Sequence, residues 1–323
     1  MNVFHTRITE LLGIEHPIIG GTMMHLSREE LTAAISEAGG LGILASANFQ
    51  DQASFRQAIK NIRQKTDKPF AVNLNMFPAR KRLENHLYID VILDEGVGIV
   101  ETSGHKAPEE YLERLKKEGV KLIHKCVGVR YAKKAESLGV DAVTVVGYEN
   151  GGATGVLDIT TLCLVPRVVD SVSIPVIAGG GVADGRGLMA MLALGAEGVI
   201  MGTRFLVAEE CPLHPRVKEV LLSATELDTV LVMRSVGNTH RVWKNRAAEA
   251  TAEMETRNAS LQELFKFVSG EQAEKMYLQG ELHAGLLACG QGIGLVRDIK
   301  PARDIILEIL KEAWETRKRL KAL

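Results

Sequence analysis

Glycine-rich segments flank the residues of this chain best suited to chemistry. AGGGVADGRG (178–187) and MGTRF (201–205) each follow an apolar run and offer bare backbone amides. The first also opens a helix, and the second adds the Thr203 hydroxyl. Amides of a loop and a helix start are natural donors to a phosphate, so Gly179, Gly180, Gly181, Gly202 and Thr203 point to a phosphate grip. Tight turns alone are the other reading of these glycines. A third segment, GYENGGATG (147–155), lets backbone approach something flat or charged through Gly151 and Gly152. Its polar tools are Tyr148, Glu149, Asn150 and Thr154, with no histidine to move a proton. Asn73 and Lys125 are polar residues near the ends of the apolar runs PFAVNLNM and KLIHKCVG. Lys125 serves either a ligand or an ion pair with Glu101 or Glu149.

These residues need a frame, and the chain supplies a repeating one. HPIIGGTM precedes SREELTAAISEAGG, where Ser27 and Glu30 have the spacing of a helix capping box and Gly39-Gly40 ends the helix. LGILASA, PFAVNLNM, GIVETSG, KLIHKCVG, DAVTVVG, IPVIAGGG and GVIMGTRF are further strand patterns, each followed by a helical one; the third helix is expected around Arg82 to Leu93. Eight alternating strand–helix units indicate a parallel sheet closed into a (β/α)8 TIM barrel. Near-continuous Val/Ile/Leu strands agree with burial on both faces. The period breaks after Phe205. The expected division is a barrel from 1–207 and 286–323, with ARDIILEILKEAWETRKRLKAL returning as its last helix, and an inserted, mostly helical lobe from 208–285 on the substrate side. In such a barrel the working face lies at the C-terminal ends of the strands. That brings Gly20 to Met24, Asn73, Glu101 to Gly104, Lys125, Glu149 to Gly152, Gly179 to Gly181, and Gly202-Thr203 into one ring.

Bulk properties exclude several classes. The 323 residues carry a formal net charge of −1 and are 24% charged, so no basic field points to nucleic acid. No apolar run reaches membrane-spanning length and the N-terminus lacks a signal-peptide core. Four cysteines, Cys126, Cys163, Cys211 and Cys289, contain no CxxC pair and suit reduced thiols rather than a metal site. A cytoplasmic enzyme acting on a small molecule or an acyl thioester is the expectation.

The segments LLGIEHPIIGGTM, KPFAVNLNM, IHKCVGVRYAKKAESLGVDAV, IPVIAGGGVADGRGLMAMLALGAEGVIMGTRF, RSVGNTHRV and GQGIGLV run in order through nearly the whole chain. In this it resembles the nitronate monooxygenase family, which includes the flavin-type enoyl-acyl-carrier-protein reductases. The resemblance implies an FMN-containing barrel. Gly21, Thr22, Met23 and Met24 would lie by the isoalloxazine, and Asn73 and Lys125 would approach its polar edge. Gly180, Gly181, Gly202 and Thr203 would hold the phosphate, with Gly179 beside them. Glu149, Gly151 and Gly152 match the family's loop, and Gly290 and Gln291 match the segment that closes over the ring. Homodimers are compatible with the resemblance.

The chain also departs from the family pattern. The family loop reads Glu-x-x-Gly-His-x-Gly, its histidine the acid/base over the flavin, whereas this chain has Ala153 at that position. Gly20-Gly21-Thr22 replaces a stretch where many members carry Gln with Pro or Gly. Candidate replacements for the proton carrier are His25, His240 and Tyr148, while strand alternation turns His124 away from the mouth. Arg234 and Arg241 are candidates for anion contacts. The expected function is an FMN-dependent oxidoreductase passing electrons between a donor and oxygen or an organic acceptor. The alternatives are an enoyl-thioester or quinone reductase or dehydrogenase using NAD(P)H as co-substrate, and a flavoprotein without catalysis.

Overall fold

The computed structural model describes residues 4–76, 84–104 and 107–323. Elements follow in the order α1 (Arg7–Leu12), β1 (Ile18–Gly20), α2 (Glu29–Glu37), β2 (Gly42–Ala45), α3 (Gln52–Lys65), β3 (Phe70–Asn75), α4 (Asn85–Asp94) and β4 (Ile99–Ser103). Next come α5 (Glu109–Lys117), β5 (Lys121–Cys126), α6 (Val129–Ser137), β6 (Ala142–Val146), β7 (Gly152–Ala153), α7 (Thr161–Val169), β8 (Val176–Gly179), α8 (Gly185–Ala193) and β9 (Gly198–Met201). The remainder comprises α9 (Thr203–Leu206), α10 (Pro215–Leu222), β10 (Thr229–Val232), β11 (His240–Trp243), α11 (Arg246–Thr256), α12 (Leu261–Val268), α13 (Gly270–Gln279) and α14 (Ala302–Lys321). The first residues of the helix expected from Arg82 lie outside the described part, and α4 is observed from Asn85.

Eight parallel strands pair in the order β1-β9-β8-β6-β5-β4-β3-β2. The bridge Ile19↔Leu41 joins the two ends, so the sheet closes into the expected (β/α)8 TIM barrel. Strand alternation splits the apolar residues into two cores. Ile19, Ile43, Ala71, Ile99, Ile123, Ala142, Ile177 and Ile200 fill the barrel, and Ile8, Leu12 and Ile14 from α1 and the turn after it join that cluster. Their strand neighbours Ile18, Leu44, Val72, Val100, Leu122, Val143, Ala178 and Val199 face the surrounding helices. Burial on both sides is why these strands read as continuous apolar runs. Among the described residues no helix is both long and apolar enough to cross a membrane.

Two expectations change in detail. Helix α2 begins after Arg28, which makes no side-chain cap, so Ser27 is not the cap. The Ser27 hydroxyl instead accepts from the Met23 amide at 2.8 Å and so fixes the loop leaving β1. The segment 208–285 carries four helices, α10 to α13, but also the strands β10 and β11. With β7 they form a three-stranded antiparallel sheet, so part of this segment is tied to the loop after β6. Strands of four residues pair too far apart in sequence to show a readable period.

Helix α14 completes the helical layer by packing against α8 and α2. Its approach to α8 depends on Gly185, where an added Cβ would fall 2.3 Å from the Ala313 amide nitrogen and the Ile309 carbonyl oxygen. Gly185→Ala must therefore push two helices apart, and overpacking of this kind costs about 1–3 kcal/mol. The expected outcome is a lower urea midpoint at unchanged m-value, measured by far-UV circular dichroism; an unaltered midpoint would show that the contact yields freely.

Candidate active site

The inner face of the barrel changes character in its uppermost layer. One step beyond Ala71, Ile99, Ile123 and Ala142, the inward positions of β3 to β6 are Asn73, Glu101, Lys125 and Thr144. The corresponding positions on β1, β8 and β9 are glycines: Gly21, Gly179 and Gly202. Four of the eight inward positions are therefore polar, three are bare backbone, and β2 contributes Ala45.

Glu101 organises the polar half. It is 0% exposed, and a buried carboxylate stays charged only if donors replace its lost water. Its Oε2 accepts from the Thr22 hydroxyl at 2.6 Å and from the Asn73 amide at 2.7 Å. The Lys125 ammonium lies 3.2 Å from Oε1, off the line that a hydrogen bond requires. Lys125 thus forms the ion pair that was one of its two sequence readings, with Glu101 rather than Glu149. The inward Thr144 hydroxyl is buried and, among the described residues, has no hydrogen-bond partner.

The glycine half is built by close backbone approach. A Cβ at Gly21 would lie 2.9 Å from the Gly202 Cα, so only glycine lets β1 and β9 converge there. A Cβ at Gly202 itself would meet nothing nearer than the Met23 sulfur at 4.0 Å, which leaves open space at the end of β9. Gly180 and Gly181 take φ of +97° and +74°, a left-handed conformation suited to glycine. Among the described residues their amides donate to no backbone carbonyl. The start of α8, however, is already held by acids. Asp184 caps the Gly187 amide at 2.9 Å, and Glu312 from α14 accepts from the Gly185 amide at 2.8 Å. The free donors are those of the glycine loop before the helix, not of the helix terminus expected from sequence.

The loop after β6 and the segment before α14 are stitched together beside this space. The Gly290 amide donates to the Thr203 hydroxyl at 2.9 Å, and the Gln291 amide to the Glu149 carbonyl at 3.0 Å. A Cβ at Gly151 would fall 2.6 Å from the Gly290 nitrogen, so this glycine serves the contact between the two segments. The Glu149 carboxylate accepts from the Thr161 amide and hydroxyl at 2.9 and 2.8 Å and anchors the start of α7, while its stem lies against Gly181. Met24 is 47% exposed, beyond the layer just described.

The three candidate proton carriers engage different partners. His25 has φ of 65°, packs edge-on to Tyr277 at 5.9 Å, and keeps a buried Nε2 with no hydrogen bond among the described residues. Burial lowers its pKa and pushes the Tyr277 hydroxyl up to about 12. His240 stands on β11 directly across from Ala153, with Nδ1 2.7 Å from the Asn238 carbonyl. Alternation places it on the face of Val242, which packs with Ala248 of α11. Tyr148 lies beneath the Arg241 guanidinium at 4.5 Å. Arg241 is 3% exposed and donates to the Tyr148 carbonyl and the Thr229 hydroxyl, so it braces this loop, with Nη2 buried and unpartnered. Arg234 pairs with Asp158. The architecture of Glu101 as a shared acceptor was not foreseen; the interruption of the inward apolar series Ile99, Glu101 was the available signal.

His124 faces outward as expected, with Nδ1 2.8 Å from the Thr102 hydroxyl, and burial pushes its pKa down to about 4. Its ordinary value is near 6.5, so between pH 6.5 and 4 the unfolded chain binds a proton that the folded one refuses. Stability is expected to fall over that window by up to about 3 kcal/mol, at 1.36 kcal/mol per pKa unit, and to level off below it. Urea titrations of wild type and His124→Asn across this range check the effect; a slope retained in the variant would assign it to other groups.

Comparison with known proteins agrees with this geometry. The profile of the nitronate monooxygenase family matches residues 5–312. The structure of FabK from Thermotoga maritima superposes with a TM-score of 0.91 at 40% identity, covering 98% of this chain and 99% of that one. The (3aS,4S,5R,7aS)-5-hydroxy-7a-methyl-1-oxo-octahydro-1H-indene-4-carboxyl-CoA dehydrogenase of Rhodococcus jostii is 34% identical over 100% of this chain and 99% of its own. A probable nitronate monooxygenase of Staphylococcus saprophyticus is 33% identical over 74% of this chain and 79% of its own. A profile that spans the barrel and the helical segment alike, with relatives this close, leaves one assignment: the chain is an oxidoreductase belonging to the nitronate monooxygenase family.

Proposed function

We propose that this enzyme is an FMN-dependent oxidoreductase whose organic substrate is an acyl thioester, with NADH or NADPH as its other electron partner. The observation that carries the FMN reading is the divided inner layer at the mouth. Close packing of β1 on β9 at Gly21 leaves open space at Gly202, and on the neighbouring loop the amides of Gly180 and Gly181 donate to no backbone carbonyl among the described residues. The residues present therefore fit the group. Gly180, Gly181, Gly202 and Thr203 would hold its phosphate, while Asn73 and Lys125 would address its polar edge and Met23 its flank. When bound, FMN supplies hydride transfer in either direction.

The protein's own groups bear on the choice of substrate. The loop offers Ala153 and therefore no titratable side chain across from His240. A missing positioned imidazole forfeits roughly 10²–10⁴-fold wherever proton transfer limits the rate. Exchange of a hydride with a nicotinamide requires no such group. Lys125 stays partly exposed at the mouth beside a buried acid. The Rhodococcus dehydrogenase, named for a carboxyl-CoA compound, matches over the whole chain, whereas the staphylococcal nitronate monooxygenase matches over 74% of it. That difference favours the thioester.

An anaerobic titration tests the proposal. Purified protein loaded with FMN is expected to bleach on addition of NADH or NADPH, and enoyl-CoA is expected to restore the colour without oxygen. Flavin that neither nucleotide bleaches, in a protein that turns over nitronates with oxygen, would replace this reading by the nitronate one. A second variant addresses the cofactor site alone. Gly202 has ordinary right-handed backbone angles, so Gly202→Leu is expected to leave the unfolding free energy within about 1 kcal/mol. Its side chain would fill the space at the end of β9, and FMN affinity measured by fluorescence quenching is expected to drop at least about tenfold, 1.4 kcal/mol.

A further inference from the structure

The proposed reading uses Lys125 and Asn73 directly and gives Glu101 no part. We propose that Glu101 is a positioning residue whose charge cancels that of Lys125 and thereby lowers the reduction potential of the bound flavin; the inference rests on the FMN reading above. The carboxylate is 0% exposed, while the Lys125 side chain keeps 21% of its surface accessible. The ammonium therefore faces the mouth and the acid lies behind it, at 3.2 Å. Thr22 and Asn73 both donate to Oε2, which leaves Oε1 to the ammonium and locks the acid in that direction.

Two-electron reduction leaves negative charge on the polar side of a flavin, so a lone cation there favours the reduced form. A carboxylate in contact with that cation removes most of its effect at any distance greater than the pair's own separation. The pair then presents a dipole in place of a net charge. The flavin holds its electrons less tightly and releases a hydride more readily to an electron-poor double bond. Glu101 does this without touching the ring, since its free oxygen is buried within the protein.

The test is a charge cycle read as flavin midpoint potential by spectroelectrochemistry, with FMN stoichiometry measured beside it. Glu101→Gln keeps the shape and removes the charge; it is expected to move the reduction equilibrium at least about tenfold toward the reduced form, roughly +30 mV for a two-electron couple. Lys125→Gln is expected to move it at least about tenfold the other way, and the double variant to return near wild type. Should Glu101→Gln alone fail to fold because it strands the ammonium, the double variant against Lys125→Gln, in which Glu101 keeps its Thr22 and Asn73 donors, measures the same removal of the carboxylate. Potentials unchanged by losing Glu101 in a flavin-loaded protein would overturn this inference while leaving the FMN reading intact. Wild-type protein that binds no FMN would overturn both.

Discussion

A carboxylate stripped of water must be surrounded by donors, and the mouth of this barrel is arranged around one such group. Glu101 draws a hydroxyl from the loop after β1, an amide from β3 and an ammonium from β5 onto a single side chain of β4. Three successive inward positions and the loop after β1 are thereby set by one charge. None can be changed without altering what the others satisfy, because leaving a buried acid without partners costs more than any single hydrogen bond returns. The polar half of the site is a constraint of solvation first, and the chemistry proposed for it follows from where that constraint leaves the lysine.

The glycine half obeys a different rule. Where β1 meets β9, and where the loop after β6 meets the segment before α14, backbone packs on backbone at distances that admit no Cβ. Such contacts make the wall of the site from atoms whose positions are set by the strands themselves. The site therefore combines a rigid, side-chain-free wall with a polar corner, and the three-stranded sheet of β7, β10 and β11 ties the outer segment to that wall.

The barrel was legible in the sequence because its strands are buried on both faces and its helices separate them at regular intervals. The ring of residues at the mouth followed from where the apolar runs end, and alternation in the structure turns Asn73, Lys125, Gly21 and Gly202 inward. What alternation could not show is partnership between strands. Glu101 was readable as a mouth residue and as one of two possible partners for Lys125, but its simultaneous hold on Thr22 and Asn73 depends on three-dimensional register. Ser27 had the spacing of a cap, yet its hydroxyl is used by the Met23 amide, a competition local pattern cannot resolve. The start of α8 looked open because Glu312, which occupies it, lies in the last helix. Strands β10 and β11 are too short for a period; they pair with each other, and β11 also with β7.

The closure of the barrel also has a temporal side. Strand β1 touches β2 through a single bridge, and its ladder of partners, Ile18↔Val199 onward, belongs to β9. During synthesis the first strand must wait until β9 has left the ribosome, and the faces of α2 and α8 must wait longer for α14. Pairings this distant along the chain form slowly, and unpaired strand edges invite association with other chains in the interval. The nascent protein is consequently most exposed to such association while β1 and β2 have emerged and β9 (Gly198–Met201) has not.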